Sequence, residues 1–129
     1  MCMITTLDHT RISKLIRRNG LDGKLSYLEE KLGLASLVES EVTPSNLVTM
    51  NSEVILKDGE TGASFELRLV YQITPIYGTQ VSVLSPLGNA ILGSIENETI
   101  TYLARDNELK TVTVEKLIFQ PESAGQLDL

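Results

Sequence analysis

Residues 85–93 read SPLGNAILG, a short stretch that carries both the start and the stop signals of one helix. Ser85 is a preferred N-cap residue, Pro86 suits the first helical turn, and Gly93 suits the left-handed position after the end. A helix this short is unstable in isolation, so it must pack against other elements. We therefore predict that the Ser85-Pro86 corner points outward and that the apolar residues face a sheet: Leu87, Ala90 and Ile91.

On both sides of this stretch, apolar and polar residues alternate with period two, which is typical of strands half-buried in a sheet. The alternation predicts five strands, at residues 54–56, 65–71, 81–83, 100–104 and 112–119. Asp58, Gly59 and Gly62 favour a tight turn between the first two strands, and Asp106-Asn107 favours another before the last. These patterns predict an α+β fold, in which a mostly antiparallel sheet is covered by one short helix.

Upstream of the sheet, apolar residues recur at helical spacing. Ile12, Leu15 and Ile16 share one face of a first helix that ends at Asn19-Gly20. A second helix carries a similar apolar stripe: Leu25, Leu28, Leu32 and Ala35. Because few residues separate the two helices, we predict a short N-terminal antiparallel helical hairpin, a coiled-coil arm.

The helical period stops at the stretch TPSN, residues 43–46, so we predict a domain boundary between residues 1–44 and 45–129. The first part carries six basic and six acidic side chains, whereas the second carries five basic and eleven acidic ones, which accounts for the whole net charge of −6. An acidic body argues against binding nucleic acid, with or without sequence specificity, because neutralising phosphates requires clustered Lys and Arg. We expect a protein partner.

The composition excludes several classes of protein. The chain has 129 residues, enough for one packed domain with a small appendage. We find no membrane-spanning apolar stretch and no secretory signal, so we expect a cytoplasmic, monomeric protein without a membrane partner. Cys2 is the only cysteine and His9 the only histidine, which excludes an intrachain disulfide, thiolate-rich or multi-histidine metal sites and histidine-based triads. We expect no cofactor and no metal.

The stretch SPLGNAILG resembles the signature of the C-terminal domain of the Gre transcription factors, where a Ser-Pro, a small or apolar pair, an Ala-Leu-like pair and a Gly recur in that order. The segments VTMNSEVIL before it and VEKLIFQPESAGQLDL after it resemble more specifically the Rnk group, the Gre-related regulators of nucleoside diphosphate kinase, which have a shortened arm. The resemblance covers residues 30–129. It implies a fold similar to FKBP, with a twisted antiparallel sheet and one short helix, preceded by a helical arm.

The resemblance also implies a partner. Gre factors dock this domain on the coiled-coil rim of the secondary channel of bacterial RNA polymerase and insert the arm toward the active centre. By this resemblance Ser85 and Pro86 contact the polymerase, with Leu84 and Leu87 beside them. Leu84 stands where Gre proteins commonly carry a polar or acidic residue.

Gre factors use two carboxylates at the arm tip to help hold magnesium, which prefers paired hard oxygen ligands. The segment NGLDG, residues 19–23, offers only Asp22, which is also typical of an exposed turn. Arg11, Lys14 and Arg18 share a helix face that meets either an acidic channel wall, RNA or only solvent. The resemblance therefore implies no catalytic residue and a non-enzymatic regulator, one that competes with Gre factors without stimulating transcript cleavage.

Three other functions stay open at this point. One is a true Gre-type transcript cleavage and elongation factor, and another is a regulator of nucleoside diphosphate kinase that acts apart from the polymerase. A third is an FKBP-type prolyl isomerase, whose site is apolar and lined by aromatic residues. The chain disfavours this last function because it has no Trp, two Phe and four Tyr.

Overall fold

The computed structural model of the protein describes residues 2–21, 23, 25–71, 79–104 and 106–125, and Asp22 lies outside these ranges. The helices are α1 (Thr6–Arg18), α2 (Ser26–Leu34) and α3 (Pro86–Ile91), with a 3-10 turn at Ser40–Val42. The strands are β1 (Met3–Thr5), β2 (Ser36–Val38), β3 (Glu53–Asp58), β4 (Ser64–Val70), β5 (Gln80–Ser82), β6 (Thr99–Leu103) and β7 (Leu109–Phe119).

Five strands form one mixed sheet in the order β5-β4-β3-β7-β6. The pairs β4-β3, β3-β7 and β7-β6 are antiparallel, whereas β5 runs parallel to β4, with Leu69 opposite Val81. The predictions of an α+β fold, of these five strands and of a mostly antiparallel sheet are confirmed, but the fully antiparallel sheet that the resemblance implied is wrong for the pair β4-β5. An alternating pattern identifies the two faces of a strand and carries no information about its direction.

β1 and β2 form a second, parallel sheet that the sequence patterns did not predict. Met3 lies opposite Ser36 and Thr5 opposite Val38, and the Ser36 amide donates to the Cys2 carbonyl at 3.0 Å. Three residues are too few to show a period, so no strand signal was visible. The pairing closes the base of the helical segment, because it joins the residues before α1 to those after α2.

The turns around the sheet follow the predicted chemistry. Between β3 and β4 the Gly62 amide donates to the Asp58 carbonyl at 2.9 Å, and Gly62 has a φ of +73°, in the region that favours glycine. α3 begins at its predicted N-cap, Ser85, and is followed by Gly93 with a φ of +81°. α3 packs against β5 and β6.

Gly88 determines how closely α3 approaches the end of β5. A Cβ at this position would lie 1.9 Å from the Ser82 carbonyl oxygen and 2.7 Å from its carbonyl carbon. Both distances are far shorter than van der Waals contact. Only glycine therefore allows the helix start to sit where it does.

One hydrophobic core joins the N-terminal helices to the sheet. The buried residues of β1, α1 and α2 belong to the same cluster as those of the sheet and α3: Ile4, Ile12, Ile16, Leu28 and Leu32 with Val48, Met50, Val54, Leu56, Leu69, Val83, Ile91, Leu92, Val112 and Val114. The apolar stripes of the helices thus contribute to a core that both parts of the chain share. The division into residues 1–44 and 45–129 stays a prediction, and the shared core favours one cooperative unit.

The buried carboxylate of Asp8 connects α1 to the chain around β3 and β4. Its Oδ2 accepts a hydrogen bond from the Met50 amide at 3.0 Å, and its Oδ1 accepts one from the Tyr71 hydroxyl at 3.0 Å. Burial raises the pKa of Asp8, and these hydrogen bonds oppose the rise. A displaced helix would leave the carboxylate buried without partners, so the pair of bonds fixes where α1 begins.

Replacing the fully buried Ile12 by Ala is expected to destabilise helices and sheet together, by about 2–5 kcal/mol, because a cavity opens in the shared core. Leu34→Ala, at a side chain that is 75% exposed, is the control and should change the free energy of unfolding by less than about 0.5 kcal/mol. Thermal unfolding followed by circular dichroism measures both. Two separate transitions, with that of the sheet unchanged by Ile12→Ala, would show instead that residues 45–129 fold independently.

Candidate functional site

The Ser85-Pro86 corner is held by the serine side chain. Ser85 Oγ accepts a hydrogen bond from the Gly88 amide at 3.1 Å and donates one to the Ser82 carbonyl at 2.7 Å. The hydroxyl therefore caps α3 and ties the helix start to the end of β5. Ser85 positions the corner, and the half-buried ring of Pro86 is the part that a partner can contact.

A groove with a volume of about 770 Å³ opens beside this corner. It lies between α2, the start of α3 and the strands β6 and β7, and its lining residues are Leu25, Tyr27, Leu28, Lys31, Leu84, Ser85, Pro86, Asn89, Ala90, Ile100, Thr101, Tyr102, Leu103 and Leu109. Lys31 is the one charged residue among them. The groove is therefore a surface suited to apolar side chains of a partner.

Apolar side chains at the rim of the groove are exposed to solvent. Tyr27 is 69% exposed and Leu109 70%, and Leu103 is exposed to 39%. Single exposed apolar residues are ordinary, but several of them around one concave surface are typical of a protein interaction site.

Lys31 connects α2 to the end of α3. Its Nζ donates to the carbonyl of Leu92 at 2.8 Å, to that of Ala90 at 3.3 Å, and to that of Asn89. These are carbonyls at the C-terminal end of α3, where a positive charge is favourable. Burial lowers the pKa of Lys31, while the nearby Cys2 and Glu98 oppose that shift. Lys31 is thus a cap supplied by another helix.

Asn89 offers an unused hydrogen-bond acceptor in the wall of the groove. Its Oδ1 atom is buried and has no hydrogen-bond partner within the part of the chain that the structure describes. Buried polar atoms are nearly always paired in native proteins.

The structure brings together three of the four residues expected at the docking surface. Leu84, Ser85 and Pro86 line the groove, whereas Leu87 packs against the hydrophobic core. Leu87 follows the Ser85-Pro86 pair in the sequence, but its position in the helix turns it toward the sheet, as the stripe in SPLGNAILG also predicted.

The predicted basic face of α1 is divided in the structure. Lys14 and Arg18 are exposed, whereas Arg11 is half-buried beside Tyr71, where it lowers the pKa of the tyrosine against the larger effect of burial. Arg11 also favours the charged form of Asp8. Asp22, the predicted arm-tip residue, lies outside the described residues.

Sequence reasoning missed the residues that complete the groove. Lys31 lies next to the apolar stripe of α2, one residue before Leu32, and no spacing rule marks a lysine that contacts another helix. Tyr27 and Leu109 belong to no sequence motif, and only their exposure in the folded structure identifies them as part of the groove. Over the described ranges, no cluster of three or more His, Cys, Asp or Glu could hold a metal ion, and no helix is long and apolar enough to cross a membrane.

This combination of a five-stranded sheet, one short Ser-Pro helix and an N-terminal helical pair defines a class of bacterial transcription factor. Residues 43–118 match the family described as "Transcription elongation factor, GreA/GreB, C-term". The chain therefore belongs to the GreA/GreB family, which confirms the resemblance carried by SPLGNAILG. The matched residues include α3, β6 and the Ser85-Pro86 corner.

Individual relatives agree with this assignment. The regulator of nucleoside diphosphate kinase from Escherichia coli (strain K12) is 31% identical over 126 residues, which cover 95% of this chain and 93% of that protein. Transcription elongation factor GreA from Syntrophobacter fumaroxidans is 35% identical over 82 residues, or 62% of this chain and 52% of that protein. The structure of a prokaryotic GreA/GreB elongation factor from Nitrosomonas europaea superimposes with a TM-score of 0.74 at 28% identity, covering 92% of this chain and 100% of that one.

The cap supplied by Lys31 can be tested with Lys31→Met. This change keeps most of the side-chain volume but leaves carbonyls of α3 without a donor, so we expect a loss of about 1–3 kcal/mol in the free energy of unfolding. We also expect faster hydrogen exchange of the α3 amides, since six residues do not hold a helix alone. Lys14→Met, at an exposed position, is the control. Equal exchange in both variants would remove Lys31 as a support of α3.

Proposed function

We propose that this member of the GreA/GreB family is a non-enzymatic transcription regulator that binds bacterial RNA polymerase at the rim of the secondary channel. The observation that supports this most is that the apolar groove opens at the Ser85-Pro86 corner, where the family resemblance puts the polymerase contact. The exposed side chains of Tyr27 and Leu109 add apolar area of the kind that protein interfaces bury. The protein then acts in the cytoplasm, as a monomer.

The proposal includes an arm in which α1 and α2 form an antiparallel hairpin on an FKBP-like body. The ring Nε2 of His9 donates to the Leu32 carbonyl at 3.0 Å, which supports the hairpin because it joins the start of α1 to the end of α2. Lys14 and Arg18 are the exposed basic residues that this arm offers to an acidic channel wall or to RNA.

The arm is too short, on this proposal, to stimulate transcript cleavage. α1 has 13 residues, so at 1.5 Å per residue it is about 20 Å long. Its tip then stops before the catalytic metal of the polymerase. The segment between the helices supplies a single acidic residue, Asp22, where the chemistry uses two carboxylates. Occupying the rim without this chemistry makes the protein a competitor of the active Gre factors.

One contact favours the alternative of a true cleavage factor. Glu29 Oε1 accepts a hydrogen bond from the Gly23 amide at 2.8 Å, so a second carboxylate contacts the segment between the two helices. This bond uses one oxygen of Glu29 to hold the turn. The short arm and that engagement together make the regulator the better supported of the two functions.

The docking surface is tested with variants on the two sides of the groove. Pro86→Ala removes the ring at the corner and Tyr27→Asp puts a charge on the rim, and each should weaken binding to core RNA polymerase at least about fivefold. Leu34→Asp, on the same helix as Tyr27 but outside the groove, should bind normally. Affinities come from biolayer interferometry, with circular dichroism to check the fold. Ser85→Arg is less informative, because it also removes the cap of α3.

Full binding by Pro86→Ala and by Tyr27→Asp would exclude the groove as the polymerase contact. Failure of the unmodified protein to co-purify with core RNA polymerase would refute the proposed partner altogether.

The protein is expected not to stimulate cleavage of the nascent transcript in a paused elongation complex. Added in excess, it should instead lower the cleavage that a Gre factor produces, because both occupy the rim. Pro86→Ala should lose this inhibition. Cleavage by the protein alone that disappears in both Asp22→Asn and Glu29→Gln would move the chain into the active Gre class.

A second candidate partner comes from the relative that covers most of the chain. That protein bears the name of a regulator of nucleoside diphosphate kinase and is 31% identical to this one. Purified nucleoside diphosphate kinase and core RNA polymerase can be offered to the immobilised protein in the same experiment. Binding of the kinase without the polymerase would favour a function apart from transcription.

A further inference from the structure

β6 is an edge strand that lacks the usual protection of sheet edges. It is the last strand in the order β5-β4-β3-β7-β6, so one side of its backbone faces away from the sheet. Its sequence, TITYL, contains no charge and no proline, the devices that commonly block pairing at an edge. β5, at the opposite edge, is only three residues long.

The hydrogen bonds to β7 show which backbone groups of β6 face outward. The Val114 amide donates to the Glu98 carbonyl and the Ala104 amide donates to the Glu108 carbonyl, both at 2.9 Å. The backbone N–H and C=O groups of residues 98 and 104 therefore point toward β7. Because these groups point alternately to the two sides of an antiparallel strand, those of residues 100 and 102 point toward β7 as well. The amide and carbonyl groups of residues 99, 101 and 103 then point to the free edge. In the described chain, no other strand pairs with this side of β6.

The apolar groove adjoins this free edge. Four consecutive residues of β6, from Ile100 to Leu103, line it, although alternate side chains of a strand point to opposite faces. Residues from both faces can line one groove only if the groove extends around the free edge of β6. A chain laid along β6 would thus gain backbone hydrogen bonds and bury apolar side chains against Ile100 and Tyr102, which share one face of the strand.

The charges beside the edge indicate what kind of chain fits. β6 begins next to two carboxylates, Glu96 and the exposed Glu98, with no basic side chain beside them in sequence, whereas beyond its other end the carboxylates of Asp106 and Glu108 are accompanied by Lys110, which pairs with Asp106 at 3.8 Å. A segment with basic residues near the start of β6 is therefore favoured. A second copy of this chain is disfavoured, because each copy carries a net charge of −6.

We propose that the free edge of β6 binds an extended segment of a partner protein, which adds to the sheet as a sixth, antiparallel strand. Apolar residues at alternate positions of the segment face the groove, and Lys or Arg at its C-terminal end lies beside Glu96 and Glu98. The Ser85-Pro86 corner is on another wall of the groove, and the edge binds such a segment whether or not the polymerase is the partner.

The probe is a synthetic peptide of three serine-valine repeats followed by two lysines. We expect it to bind and to slow hydrogen exchange of the Thr101 and Leu103 amides. Antiparallel pairing points the serine amides at β6, so N-methylation of the serines should weaken binding at least about fivefold, whereas N-methylation of the valines should leave it unchanged. Two glutamates in place of the lysines should also weaken it. No binding by the unmodified peptide, or equal binding by the two methylated peptides, overturns the proposal.

A variant of the protein gives an independent test. Thr101→Pro removes an outward amide without removing a bond to β7, because proline is tolerated where the N–H faces away from the sheet. It should lose peptide binding while its melting temperature stays close to that of Thr101→Ala, which keeps the amide and should bind normally. If the fold of Thr101→Pro is disturbed, the methylated peptides decide. Sedimentation that shows a dimer broken by Thr101→Pro would identify a second copy as the occupant and overturn the assignment of a basic partner.

Discussion

The bonds from the Lys31 ammonium to the end of α3 are the contact on which the candidate site depends. α3 has six residues, too few to be stable by itself, and its start is fixed by the Ser85 cap while its end is fixed by a side chain from α2. The helix is therefore stabilised from both ends by other parts of the chain. The groove exists because this helix and α2 are held at a set distance above the edge of the sheet.

The close approach at Gly88 complements this arrangement. It brings the helix start against the Ser82 carbonyl, the same atom that accepts the Ser85 hydroxyl. The Ser85 cap, the close contact at Gly88 and the Lys31 ammonium together determine the direction in which the ring of Pro86 faces. A polar network therefore sets the shape of a surface whose own lining is mostly apolar.

The sequence predicted the sheet strands and α3 because each has a period or a cap that local chemistry dictates. The parallel neighbour of β4 and the short pair β1-β2 escaped prediction, since direction and three-residue strands leave no periodic trace. In the candidate site, the Ser85-Pro86 corner was predicted from its motif. Lys31, Tyr27 and Leu109 could not be predicted, because they line the groove only once α2 and β7 are packed beside each other. Arg11 belongs to the predicted basic row of α1, but it is half-buried beside Tyr71 and favours the charged form of Asp8, and helical spacing alone does not distinguish it from the exposed Lys14 and Arg18.

The parallel pairing of β1 with β2 brings the beginning and the end of the helical segment side by side. A segment closed at its base can be lengthened at its far end by whole turns in both helices, without changing the register of the two strands or the core below them. Insertions and deletions at the far end of the two helices would change the length of the helical segment while the sheet keeps its form. A change in the length of the two helices then needs no redesign of the sheet that carries them, so the size of the helical segment and the form of the sheet can evolve separately.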